Sequence, residues 1–307
     1  MPSIQERILK RIEAQLPKGE SLAKSLERFL EVDSSTARRK LHGDSNLSLE
    51  QLESLIAADP SLLEELLPIA MRDNNFLGTY SHIHSYNDVA QYLRSIIKRF
   101  ELAVKAEAKL QYIARDLPLF FFLSDRDLAS FKFSLWTGEL QKGNLIQLCD
   151  ELYQLCQEAH QLYLSLSTVE IWSREVTRNQ LQQLNWHWGM TYLDPKIKEG
   201  LLEVIKDKVA TYKEWAYSGL KDGKGKLQLY FSEYIVMNNG GLLSTDRFKV
   251  LMSAISNVNF VSYTNPSLCE GFLKEFEDQQ NASILVSRSN ALEREKSFSK
   301  LIEDLNS

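Results

Sequence analysis

The stretch that most constrains this chain is Ser34 to Gly43, with the sequence Ser-Ser-Thr-Ala-Arg-Arg-Lys-Leu-His-Gly. Val32 to Ser35 offers a turn with N-cap candidates, and Gly43 can end a helix in the left-handed region, so Ser35 to His42 reads as one short helix. Only Ala37 and Leu41 are apolar, four residues apart and on one face. Such a helix cannot form a core. It lies on its neighbours along a thin stripe and turns Thr36, Arg38, Arg39, Lys40 and His42 outward, three basic residues with no acidic one among them. That face suits an anionic partner.

The flanking sequence supplies the neighbours. Ile4, Ile8, Leu9, Ile12 and Leu16 follow helical spacing up to Pro17 and Gly19, which predicts a first helix over about residues 3–16. A second helix carries Leu22, Ala23, Leu26, Phe29 and Leu30 on one face and stops near Glu31. Ser48 with Gln51 has capping-box spacing ahead of Leu49, Leu52, Leu55 and Ile56. Ser61 with Glu64 repeats the signal ahead of Leu62, Leu63, Leu66, Leu67 and Ile69, predicting a fifth helix. Residues 1–72 thus read as a bundle of five short helices.

Three segments in this bundle, Ser21-Leu-Ala-Lys-Ser-Leu26, Asp33-Ser-Ser-Thr-Ala-Arg-Arg-Lys-Leu-His-Gly43 and Leu47-Ser-Leu-Glu-Gln-Leu52, resemble the lambda-repressor-like (Xre-type) helix-turn-helix over about residues 3–70. Ala23 stands where that family has the small residue between helices two and three. The glycine that usually ends helix two is missing, because Glu27 to Glu31 lengthens it by about one turn. The resemblance implies a sequence-specific transcriptional regulator whose third helix lies in the major groove of double-stranded DNA. By motif position it implies Ser35, Thr36 and Arg39 at base edges and Arg38, Lys40 and His42 nearer the sugar-phosphate backbone. Arg39 is the first choice for specificity, because a guanidinium can fork onto O6 and N7 of guanine. The competing reading is a protein-protein interaction module that reuses the same fold.

Residues 72–85 break the helical pattern and are polar, which predicts a domain boundary. His82 and His84 there read as linker histidines, since no carboxylate-rich partner motif lies nearby. Val89, Leu93, Ile96, Phe100 and Ala103, continued by Leu110, Ala114 and Leu117, predict one long helix whose seam either pairs with a second copy or packs within its own domain. A homodimer would match paired half-sites. The aromatic run Phe120 to Phe122 with Phe131, Phe133 and Trp136 must be buried, and helical spacing resumes at 145–159, 171–184 and 197–217. Residues 73–225 therefore read as a helical region. Extended runs at 227–237, 248–254, 260–263 and 283–287, with helices at 266–279 and 291–305, predict a small α+β region over 226–307 for an unidentified small-molecule or protein effector. The basic glycine segment Lys221 to Lys226 lacks the phosphate-loop pattern and reads as a hairpin connection. The fold class predicted is mostly α, with an N-terminal helix-turn-helix bundle, a central helical region and a C-terminal α+β region. Asp116-Leu-Pro-Leu-Phe with Phe131-Lys-Phe, Glu170-Ile-Trp-Ser, Glu233 to Asn239 and Thr264-Asn-Pro with Cys269 are also similar, in this order, to a group of bacterial helix-turn-helix regulators with a large C-terminal domain.

No nucleophile elbow, zinc helix, dinucleotide glycine pattern or deaminase-type ligand set occurs, so neither an enzyme nor a cofactor is expected. Cys149, Cys156 and Cys269 lack C-x-x-C spacing, and Cys149 and Cys156, seven apart on one helix, read as packing residues. His160 and His187 read as satisfied core or surface histidines, and Asn185-Trp-His-Trp188, which has the make-up of a small-ligand pocket lining, reads as core packing first. The first ten residues lack a secretory apolar stretch, and the longest apolar run, Leu117 to Leu123, is far too short to span a bilayer, so a cytoplasmic protein is expected. The net charge of -5 makes any nucleic-acid affinity a local property of the head.

Overall fold

The computed structural model describes the chain apart from residues 1–2, 18, 60–61, 63–77, 81–82, 191, 234–238, 246–247, 255–259, 289 and 307. The expected fifth helix, except Leu62, and His82 lie outside the described residues. The head begins with α1 (Ile4–Gln15), whose N-cap Ser3 forms a capping box with Glu6. It continues with α2 (Leu22–Leu30), α3 (Ser34–His42) and α4 (Leu49–Ala58), the last started by the Ser48–Gln51 capping box. Ile8, Leu9, Ile12 and Leu16 of the first helical segment meet Leu26, Leu30, Ala37, Leu55 and Leu62 in a separate small core. Phe29, expected on the buried face of α2, is exposed instead, with the Arg28 guanidinium 5.0 Å from its ring centre.

The rest of the chain is built on one mixed sheet. Its strands are β1 (Gly78–Tyr80), β2 (Lys109–Ala114), β3 (Ser167–Ser173), β4 (Leu227–Ser232), β5 (Gly240–Ser244), β6 (Lys249–Ala254), β7 (Phe260–Tyr263) and β8 (Ile284–Leu285). They lie in the order β1-β7-β6-β5-β2-β3-β4-β8. The central β2, β3 and β4 run parallel, and the other pairings are antiparallel. The chain is mostly α with a sheet region, but the sheet crosses the boundary expected at 225/226. Two central strands come from the region expected to be a helical bundle. The long helix α5 (Tyr86–Lys105) stops where Glu107 takes a left-handed φ of 52°, so Leu110 and Ala114 belong to β2 and do not extend its seam. Ile171 likewise lies in β3.

Helices α6 (Leu119–Leu123), α7 (Arg126–Trp136) and α8 (Asp150–Ser165) join β2 to β3, and α9 (Val176–Gly189) and α10 (Pro195–Ser218) join β3 to β4. Because successive side chains of a strand point to opposite faces, each strand divides its residues between two layers. Leu110, Tyr112, Ala114, Trp172, Leu229 and Phe231 join the main core with the Phe120 to Phe122 run and with α12 (Ala291–Leu305). Ile113, Val169 and Ile171 face Phe276 of α11 (Pro266–Asn281) on the other side. Glu170 is buried on the main-core side and accepts hydrogen bonds from Tyr163 Oη, Thr168 Oγ1 at 3.1 Å and Trp172 Nε1 at 2.9 Å.

Several local expectations are corrected here. Lys221 to Lys226 does close a tight antiparallel turn, with Leu220 bridged to Lys226 and the Lys221 N–H donating to the Gly225 carbonyl at 2.9 Å, but it lies between α10 and β4 and Lys221 is fully buried, donating from Nζ to the Tyr163 carbonyl at 2.7 Å. Trp186 and Trp188, expected in the core, are 54% and 45% exposed, while His187 between them is buried. Cys149 is exposed and only Cys156 of that pair is buried. Of the two settings open to His160, core and surface, it takes the first: it is buried, its Nδ1 3.1 Å from the Phe120 carbonyl oxygen, and desolvation lowers its pKa to about 4.

Candidate nucleic-acid interface

Two short helices and the turn between them set the geometry of the head. Glu31 closes α2 in the left-handed region with φ 52° and ψ 42°, a position where glycine is usual and a glutamate is strained. The chain then turns through Val32 to Asp33, the N-cap of α3. Asp33 Oδ1 accepts from the backbone N–H groups of Ser35 at 2.9 Å and Thr36 at 3.0 Å. It satisfies two of the unpaired donors that every helix start exposes. Gly43, at φ 80°, closes α3 from the other end.

The expected interface residues separate into three groups. Each residue advances about 100° around a helix, so Ser35, Arg39 and His42 fall within about 40° of the pole opposite the buried Ala37. All three are exposed, and Arg38 and Thr36 flank them on either side. Lys40 does not belong to this face. It is 6% exposed and its Nζ donates to the Asn46 carbonyl at 2.6 Å, which ties α3 to the loop that follows it. Its placement near a DNA backbone is therefore corrected: it turns inward because Leu41 and Ala37 set the stripe, and position 40 lies at the stripe's edge. Ser35 and Thr36 are also less available than their positions imply. Their hydroxyls donate to the two Asp33 carboxylate oxygens at 2.5 and 2.7 Å, which leaves them as hydrogen-bond acceptors.

Two residues escaped the sequence reading. Gln5 of α1 donates from Nε2 to the carbonyls of Lys40 at 2.7 Å and Ser45 at 3.0 Å, and its Oε1 accepts from the Leu47 N–H at 2.8 Å. One side chain thus pins the end of α3 and the following loop to α1, and no spacing rule points to it. The other is Asp33 itself, readable as a cap but not as a charge. The Ser35 and Thr36 hydroxyls hold its carboxyl well below the usual range. A firm negative charge therefore sits at the leading end of the exposed face.

Charge over the head is balanced. Residues 1–58 contain nine Lys and Arg and nine Asp and Glu, so the head carries no net positive excess, and on the exposed α3 face the positive charge comes from Arg38 and Arg39. The α5 stripe that offered a dimer seam is spent within the chain, since Val89, Leu93, Ile96, Phe100 and Ala103 all lie in the main core. His84 N–H donates to the Asp88 carboxylate at 3.0 Å in the start of α5. Among the described residues no helix is long and apolar enough to cross a membrane. Compared with protein-family models, with curated proteins and with solved structures, the chain matches none.

Proposed function

We propose that α2, its turn and α3 act as a lambda-repressor-like helix-turn-helix and that the chain is a sequence-specific DNA-binding regulator acting in the cytoplasm. The observation that carries this reading is the exposed face of a capped, nine-residue α3, with Arg39 at its centre and Arg38 beside it. A major groove is wide enough to admit an α-helix, and the ends of α3 are fixed by Asp33 and Gly43, so the arginines are presented on a rigid element. Arg39 reads a base edge, Arg38 and His42 meet phosphates, and Ser35 and Thr36 accept from base amino groups. The remaining residues form the regulatory body, which serves dimerisation or ligand sensing.

A second reading is favoured by the balanced charge of the head: the same face binds an acidic surface on a protein. Selection of bound fragments from a random duplex library by the whole chain separates the two. A defined, palindromic consensus is expected, with affinity falling steeply as salt rises because phosphate contacts release counterions. Arg39→Ala is expected to relax one base position at a loss of about 1–3 kcal/mol. No enriched sequence, together with binding indifferent to salt, would transfer the function to a protein partner.

A further inference from the structure

Between α10 and β4 the turn at residues 219–226 is closed against the end of α8. Gly225 N–H donates to the Leu164 carbonyl at 2.8 Å, Leu227 N–H returns to the Gly219 carbonyl at 2.9 Å, and Thr168 N–H of β3 donates to the Lys226 carbonyl at 2.8 Å. The approach is closer than a side chain permits, since a Cβ on Gly225 would lie 2.1 Å from the Leu166 carbonyl oxygen. Asp222, Lys224 and Lys226 stay exposed, and Lys224 Nζ meets Gln161 Oε1 at 2.6 Å. Of the three lysines in this turn only Lys221 enters the core, where it is 0% exposed.

Two acceptors meet the Lys221 Nζ there: the Tyr163 carbonyl at 2.7 Å and the face of the Tyr163 ring, whose centre lies at 3.8 Å. Among the described residues this nitrogen makes no other hydrogen bond and no ion pair. A neutral amine has two N–H bonds, which a carbonyl and a ring face satisfy, whereas an ammonium has a third. The carbonyl end of α8, the ring face and the Glu170 carboxylate beyond it favour the charged form. Complete burial opposes it and prevails, bringing the pKa down to about 7 against the pull of Glu170. Burial pushes the phenols of Tyr163 and Tyr212 of α10, which bond each other at 3.0 Å, well above their ordinary range. His160 of α8 is held neutral chiefly by desolvation, with Lys208 of α10 and Lys221 adding to it and Asp222 opposing. His160, Tyr163 and Tyr212 therefore keep their charge between pH 6 and 9, where Lys221 changes its own.

We propose that the turn at residues 219–226 is a proton-operated latch: neutral Lys221 holds it against α8 and β3, and protonation of that amine releases it. Docked, Lys221 gives up its proton near pH 7; released into water, it returns to its ordinary value of 10.5. Between these two values opening takes up one proton, so the open fraction falls about tenfold for each unit that the pH rises. Below about pH 7 both forms carry the proton, and opening levels off at its highest. The latch is tight in mild alkali and loose in mild acid, and its opening uncovers the end of α8 and the starts of β3 and β4. It works independently of DNA binding by the head.

Hydrogen exchange at the Gly225 N–H of the full chain, corrected for the intrinsic rate at each pH, reads the opening. Protection is expected to rise about fiftyfold from pH 7 to 9 in the parent and by less than about twofold in Lys221→Met, which fills similar space without a charge. Lys132, whose pKa burial lowers to about 8, remains in that variant, so a rise that persists there would belong to Lys132. If Lys221→Met fails to fold, the ¹³C resonances of the lysine Cε atoms in the parent decide. One is expected to titrate near pH 7 and one near pH 8, with Lys132→Met removing the second. The proposal is overturned if Gly225 protection in the parent is flat with pH, if Lys221→Met shows the same rise, or if no lysine titrates near pH 7.

Discussion

Within one nine-residue helix, adjacent basic residues have different work. Arg39 and Arg38 point to solvent, whereas Lys40 is folded back onto the Asn46 carbonyl with Gln5 packed over the same turn. A lysine held at 2.6 Å by a backbone acceptor is a structural tie, and removing its ammonium leaves that carbonyl without its donor. Lys40→Met is therefore expected to destabilise the head by about 1–3 kcal/mol in a denaturant titration while leaving the salt dependence of duplex binding unchanged. Arg38→Ala is expected to do the opposite: stability changes by less than about 0.5 kcal/mol, and the slope of log K against log salt falls by roughly one contact. A shallower slope with intact stability in Lys40→Met would place that lysine on phosphate after all.

At the scale of the element, α3 is defined by its two caps, and the N-cap brings an unhelpful charge to the face it creates. Asp33 holds the helix start, yet as a carboxylate it repels phosphate at the end that enters the groove first. Asparagine caps as well as aspartate does and carries no charge. Asp33→Asn keeps one acceptor oxygen for the backbone N–H groups but loses the one that Thr36 Oγ1 uses, so it is expected to lower the melting temperature of the head slightly and to tighten duplex binding severalfold at low salt, read by fluorescence anisotropy. Unchanged affinity would mean that this end of α3 stays away from the phosphates. The same helix was legible from sequence because caps and apolar spacing are local signals. β2 and β3 were not: Leu-Gln-Tyr-Ile-Ala and Thr-Val-Glu-Ile-Trp-Ser are buried on both faces, so they lack the alternation that marks a half-exposed strand. Leu110 and Ala114 also happened to continue the α5 spacing, and only the backbone turn at Glu107 separates them from it.

Across the whole molecule, legibility fell with the distance in sequence over which a feature is assembled. The α3 face lies within ten residues, whereas the small cavity lined by Tyr112, Lys132, Gln183 and Asn239 joins four segments that meet only at the carboxyl end of the central strand β2. Long-range pairing likewise removes the separate C-terminal unit expected over 226–307. β4 is bonded to β3 along its length, β5 to β2, and Leu229, Phe231, Leu243, Phe298 and Leu301 are buried against residues from 83–216. A fragment of residues 226–307 would expose those apolar faces and leave two strands without their inner neighbours, and a sheet so truncated cannot offset the entropy of ordering its chain. That fragment is expected to lack near-UV circular dichroism and a cooperative thermal transition, whereas residues 78–307 are expected to unfold in one cooperative step. Cooperative melting of 226–307 alone would show that β2 and β3 are dispensable neighbours and that the sheet is two units laid side by side.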